Sequence, residues 1–299
     1  MDLERQGIEP PELLQEAARL TRQWAKTSCT RREDGGWPCQ AYHQSWTTLR
    51  LIGAISGART DEAFFLEWFG RVAKSRPDAK VLIAGTADHA MLHMLLTAFR
   101  AEGGEPEVWV IDQCRTALAV NEWYAGQAGA RIRTCHGALR VIDEISGTFD
   151  IITTHSIFSF IDAEQLEDVF RSFKNKLDAG GKLICAQGLH PKLQTGSRIR
   201  FSSDEASRFQ DRVMTCFSGF GALPDLDEAG MRELVTGFVA SKDIGAIARS
   251  EDIAAPLAKA GLRQEYMQEV RRSTDHYKSS TPDANHYAVS LRCVAVSAS

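Results

Sequence analysis

Asp112 ends the apolar run Glu107–Ile111, and Gly85 ends an earlier one, Lys80–Ala84. A carboxylate at the tip of a second strand, one helix after a glycine turn, can accept hydrogen bonds from two ribose hydroxyls. The turn reads Gly85-Thr86-Ala87-Asp88-His89 and holds one glycine. A pyrophosphate cradle needs several, so that backbone can close on the phosphates. The expected ligand is therefore a nucleoside without a pyrophosphate.

His155 follows the apolar run Phe149–Thr154. An imidazole there could take a proton from an acceptor hydroxyl or amine, although a histidine bonded to a backbone carbonyl would look the same. Tyr42 and His43 lie in Trp37–Trp46, which reads as an irregular loop, and loops carry function more often than helices do. With His155 they form the candidate catalytic set. His190 is a further acceptor-side candidate. Arg198 and Arg200 could fork onto a substrate carboxylate, while solvated charges on a lid account for them as well. His89 and His93 have helical spacing but no third ligand, so they suggest no metal site. The seven cysteines (Cys29, Cys39, Cys114, Cys135, Cys185, Cys216 and Cys293) are scattered and contain no C-x-x-C. The expectation is a reducing cytoplasm, no structural zinc and no metal.

The elements that must position these groups alternate. A helical preface comes first: Pro10-Pro11 opens a helix through Lys26, and Asp61 could cap another over Glu62–Ser75, with Phe64, Phe65, Trp68, Phe69 and Val72 as its apolar stripe. Strands are predicted at Lys80–Ala84, Glu107–Ile111, Ala130–Cys135, Phe149–Thr154 and Lys182–Ala186, with helices at Ala90–Arg100, Arg115–Gln127 and Ala163–Leu177 between them. Near-continuous apolar strands alternating with helices imply a parallel sheet covered on both faces, and right-handed crossovers make it doubly wound. Between Gly188 and Gly261 come helical windows at Asp204–Cys216, Leu226–Ala240 and Glu251–Lys259, read as a lid plus a final helix. Two last strands, Arg263–Arg271 and His286–Ala295, have no helix between them and must pair differently from the rest, with antiparallel pairing at one edge expected. The predicted architecture is α/β: a doubly wound, mostly parallel seven-stranded sheet with an antiparallel terminal strand. A helical N-terminal extension (1–77) precedes a Rossmann-like domain (78–299) that carries a helical lid insert (190–260).

The chain has 299 residues, 43% hydrophobic and 25% charged, with a formal net charge of −4. With a pI near 6.1 it lacks the basic footprint of a nucleic-acid or anionic-membrane binder. No apolar run reaches the ~18–20 residues of a membrane span, and the acidic, polar N-terminus is not a signal peptide.

In this order and spacing the motifs resemble those of the class I S-adenosylmethionine-dependent methyltransferases, over roughly Lys80 to Ser297. VLIAG at Val81–Gly85 is similar to the first motif, and EVWVID at Glu107–Asp112 to the second strand with its ribose acid. FDIITTHSIFSFID resembles the fourth-strand motif, LDAGGKLICAQG the turn and fifth strand, and the last two strands the reversed terminal hairpin. The resemblance implies S-adenosylmethionine as cofactor. Gly85, Thr86 and Ala87 would face its methionine part, Asp112 the ribose, and Gln113, His136 and Gly137 the adenine, with Thr154 and His155 near the methyl. The chain departs from the pattern at Ala87, where the family commonly has glycine, and at Ile83 and His136, where it has acids. The implied activity is methyl transfer to oxygen or nitrogen of a small-molecule acceptor, with neither nucleic acid nor membrane as partner and a homodimer left open. Three other readings stay open: a non-catalytic or regulatory member with weakened cofactor binding, an enzyme using the cofactor for elimination or cyclisation, and a dehydrogenase. The missing pyrophosphate glycines disfavour the last.

Overall fold

The computed structural model describes residues 9–29, 39–221, 223–271 and 289–297. The chain begins with α1 (Pro11–Ser28), α2 (Cys39–Leu51), a 3-10 turn at Gly57–Asp61 and α3 (Glu62–Ser75). The alternating part follows as β1 (Lys80–Ala84), α4 (Ala90–Ala101), β2 (Glu107–Asp112), α5 (Arg115–Gln127), β3 (Ile132–His136), β4 (Phe149–His155), α6 (Leu166–Lys176) and β5 (Leu177–Leu189). A short pair, β6 (Arg198–Ile199) and β7 (Ile244–Gly245), brackets α7 (Ser203–Phe220) and α8 (Glu228–Ala240). The chain closes with α9 (Glu251–Lys259), β8 (Leu262–Arg271) and β9 (Val289–Ser297).

Seven strands form one sheet in the order β3-β2-β1-β4-β5-β9-β8. All pairs from β3 to β5 are parallel, whereas β9 runs antiparallel to both β5 and β8. The terminal strand is thus the reversed one, as expected, and it lies between β5 and β8, leaving β8 at the edge. Strand order reverses between β1 and β4. Open α/β sheets bind ligands outside the carboxyl ends at that switch point.

Period-two alternation divides the strand residues between two cores. Val81, Ile83, Val110 and Ile151 pack under Phe65 and Phe69 of α3 and Leu92, Leu95 and Phe99 of α4. Leu82, Ala84, Ile111 and Ile152 pack on the other face against Phe170 and Phe173 of α6 and Ile253 and Leu257 of α9. A third core joins the N-terminal region to the insert: Tyr42, Leu49 and Ile52 meet Phe209 and Val213 of α7 and Met231, Val235 and Phe238 of α8.

Two expectations need correction. Of the stretch Trp37–Trp46, expected as an irregular loop, Cys39–Trp46 is helical, the start of α2, while Trp37 and Pro38 lie outside the described residues. Glycine and proline fall before Cys39 and none follows until Gly53, so nothing after Pro38 interrupts the helix. Asp61 sits at the start of α3 without a side-chain capping bond. Its carboxylate turns instead to Arg292 Nε at 2.8 Å and to the Ser290 hydroxyl at 3.0 Å. A full charge on β9 outcompetes the partial charge of a helix end.

Candidate functional site

The crevice lies at the carboxyl ends of β1, β2 and β4. Gly85 leaves β1 with φ +74, and its N–H donates to Ile111 O at 2.8 Å. A Cβ at this position would lie 1.9 Å from Ile157 Cδ1. Both the backbone conformation and the close approach therefore require glycine. Ser156 is the one non-glycine residue with positive φ among the described residues, at +55. Its N–H donates to Ala186 O at 2.8 Å, which holds the turn that folds Ile157 over Gly85. Such backbone strain, about 1–3 kcal/mol, collects at functional sites.

Asp112 is held from both sides. The N–H of Thr86 donates to its Oδ2 at 2.9 Å and the N–H of Cys114 to its Oδ1 at 2.7 Å. Burial raises its pKa to about 6, against the opposing pull of His43 and of these two N–H groups. Each carboxylate oxygen keeps a lone pair for a ligand hydroxyl. His136, paired with Asp112 across β2 and β3, places Nε2 3.1 Å from Gln113 O, and both side chains are exposed. Gly137 donates its N–H to Asp112 O at 3.0 Å, and a Cβ on it would meet Val141 at 2.5 Å. Thr154 is buried at the end of β4, and its hydroxyl has no hydrogen-bond partner.

The loop Thr86–His89 is held by contacts that no glycine pattern reveals. Asp88 accepts from Ala90 N–H at 3.0 Å, starting α4, and from Arg50 Nε at 2.6 Å. Arg50 also grips Glu9 at 2.7 and 3.0 Å, and His89 meets the same carboxylate. Burial alone would raise Glu9, but Arg50 and His89 hold it well below the usual carboxylate range. Ala87 packs against the third core.

His155 ends β4 with its side chain 18% exposed, and its Nε2 lies 3.4 Å from Asp61 Oδ2. Asp61 is fully buried and bound by Arg292 and Ser290, so it can orient the ring as the acid of a base–acid pair does. Tyr42 and His43 are brought near this crevice but buried in it rather than displayed. Tyr42 stacks on Phe238 with ring centroids 5.9 Å apart, and the exposed Phe160 meets its edge at 6.4 Å. Burial pushes the Tyr42 hydroxyl well above its ordinary range, aided by Asp88 and Asp112. His43 places Nδ1 3.6 Å from Cys29 Sγ. Burial would lower its pKa, but the Cys114 and Cys29 sulfurs outweigh that and lift it to about 10.

The remaining candidates lie elsewhere. His190 donates its backbone N–H to Ile247 O, and burial together with Lys242 lowers the pKa of its ring to about 4. Lys242 is itself buried and pulled down to about 7, with no carboxylate in ion-pair distance among the described residues. Arg198 and Arg200 both spend their charge on Asp243, at 2.7 and 2.9 Å. His93 shares a 2.6 Å hydrogen bond with Tyr124, on whose ring His89 stacks with centroids 4.6 Å apart.

Asp61 and Arg50 carry no motif, since each acts through partners distant in sequence. The cysteines are different. Cys29, Cys39 and Cys114, scattered in sequence, converge with His43, so that one ligand atom of each lies within 4.8 Å of all the others. The i,i+4 spacing of Cys39 and His43 was the available signal, and it has meaning only on a helix.

No family model matches the sequence, and no curated protein sequence matches it. Among solved structures the chain is similar to a geranyl diphosphate methyltransferase in complex with geranyl diphosphate and sinefungin. The identity is 11%, with 96% of this chain and 99% of that one covered and a TM-score of 0.51. It is also similar to an S-adenosylmethionine-dependent methyltransferase from Clostridium acetobutylicum ATCC 824, at 15% identity, with 84% and 96% covered and a TM-score of 0.49. A third is the N-methyltransferase NodS from Bradyrhizobium japonicum WM9, at 14% identity, with 81% and 99% covered and a TM-score of 0.46. The chain has the class I Rossmann-like methyltransferase fold.

Proposed function

We propose that the protein is an S-adenosylmethionine-dependent methyltransferase acting on oxygen or nitrogen of a small-molecule acceptor. The observation that carries this reading is Asp112, fixed at the tip of β2 by the N–H groups of Thr86 and Cys114, beside a glycine turn too tight for any other residue. The unpartnered Thr154 hydroxyl at the neighbouring strand end fits a polar ligand in the same crevice.

Asp112 would hold the ribose hydroxyls. Gln113, His136 and Gly137 would flank the adenine, and Gly85, Thr86 and Ala87 the methionine part. When bound, the cofactor supplies an already activated methyl group, so the protein mainly aligns the acceptor. His155, oriented by Asp61, is the candidate to hold the acceptor proton. Tyr42 and Phe160, with the helices of the insert, would enclose an acceptor of aromatic or apolar character and keep water out. The free cysteines suit a cytoplasmic setting.

Titration calorimetry with S-adenosylmethionine and its demethylated product tests the reading. We expect binding by the wild type and a loss of about tenfold or more in Asp112→Ala, which removes charge-assisted hydrogen bonds of ~1.5–3 kcal/mol. Absence of binding by the wild type up to millimolar cofactor overturns the proposal. It would favour the second reading, a fold member without turnover, to which the locked, glycine-poor Thr86–His89 loop points.

A further inference from the structure

We propose that Cys29, Cys39, His43 and Cys114 form a structural zinc site that clips α1 and α2 to the β2–α5 turn. The four residues come from three places: the end of α1, the first turns of α2, and the residue before α5. Their ligand atoms all lie within 4.8 Å of one another.

The spacing fits a tetrahedral ion rather than chance or a disulfide. With zinc–sulfur bonds of about 2.3 Å and a zinc–nitrogen bond of about 2.05 Å, tetrahedral angles give edges of about 3.8 Å between sulfurs and about 3.6 Å from sulfur to nitrogen. Three of the six edges are 3.5 Å for Cys29–Cys114, 3.8 Å for Cys39–Cys114 and 3.6 Å for Cys29–His43 Nδ1, and the other three are within 4.8 Å. A disulfide would draw one sulfur pair to about 2.05 Å and abandon the others. Thiolate and imidazole together select a borderline-soft ion that accepts tetrahedral geometry, and four protein ligands leave no open position, so the site is structural.

The surroundings match a metal centre. The Thr116 hydroxyl lies 3.3 Å from Cys29 Sγ, where it can donate to a ligating thiolate. His43 and Cys114 are buried, whereas Cys29 and Cys39 are partly exposed, so an ion can reach the site from one side. The location gives the clip its purpose. Cys114 donates its N–H to Asp112 Oδ1 at 2.7 Å, so an ion fixing Cys114 also fixes the carboxylate at the crevice. The site itself stands without the methyltransferase reading, because it depends only on the four ligands.

The test is metal content and geometry of the full-length protein purified under reductant. Mass spectrometry of the metals should find about one zinc per chain. After chelation and refilling with Co2+, the visible spectrum should show the intense thiolate charge-transfer and tetrahedral d–d bands. Cys39→Ser and Cys114→Ser should each lose most of the zinc. Alkylation of wild type should reach Cys29 and Cys39 only after chelator is added. Should a variant fail to fold, the cobalt spectrum and the alkylation pattern of wild type decide alone. Zinc below about a tenth of an equivalent together with no cobalt–thiolate band overturns the proposal, as does zinc retained in both serine variants or a Cys29–Cys114 disulfide that persists in reductant.

Discussion

At the scale of single residues, the crevice depends on how closely backbone can approach backbone. Gly85 needs φ +74, and Ile157 occupies the place a side chain would take. Gly85→Ala should therefore destabilise the protein by at least about 2 kcal/mol, from left-handed strain and overpacking together. Urea unfolding midpoints measure this. Adding Ile157→Ala should recover the overpacking share and leave the strain, whereas no recovery would mean that Ile157 is not the obstacle. Asp112 shows the opposite economy: its geometry comes from two backbone donors, and the side chain itself stays available to a ligand.

At the scale of elements, the tip of β4 is organised by a group two strands away. His155, Ala186 of β5 and Arg292 of β9 stand side by side across the sheet. Asp61, delivered by the turn before α3, bridges His155 and Arg292 over that row. This gives the reversed strand a role at the site: it carries the arginine that pairs with a fully buried carboxylate. Once an acceptor is known, His155→Asn should lower kcat by about 10²–10⁴ while the cofactor Kd stays within about twofold. Equal losses in both would place His155 in binding rather than proton transfer.

At the scale of the molecule, the site is a joint between the sheet and a cap. The third core fuses α2 with α7 and α8, and buried ion pairs anchor this cap to the crevice. Arg50 joins Glu9 near the chain start to Asp88 in the loop after β1, with all three side chains at least 95% buried. Arg50→Met strands two buried carboxylates and should cost about 3–5 kcal/mol near neutral pH. Glu9 is held below its ordinary value of 4.5, so its stabilisation is complete above that pH and is lost as pH falls further. Wild type and Arg50→Met should accordingly converge in stability as pH drops below about 4.5. A constant gap in denaturation midpoints down to pH 3 would show that the pairing contributes little.

Much of the sheet is legible in the chain because its signals are local. Lys80–Ala84 is a short, near-continuous apolar run of the kind a buried parallel strand needs, and Gly85 and Asp112 are marked by ending such runs. The paired last strands, unbroken by a helix, likewise announce a reversed strand. What surrounds those residues is another matter. Asp61 with Arg292, Arg50 with Glu9 and Asp88, and Cys29 and Cys39 with Cys114 are pairings across tens to hundreds of residues. An ionic, hydrogen-bonding or thiol group carries no periodic trace of its partner, since the attraction acts through space and leaves both neighbourhoods in sequence unaltered. The carboxylate at the tip of β2 was therefore determined by sequence alone. Only the tertiary structure decided that a histidine and three cysteines would gather beside it.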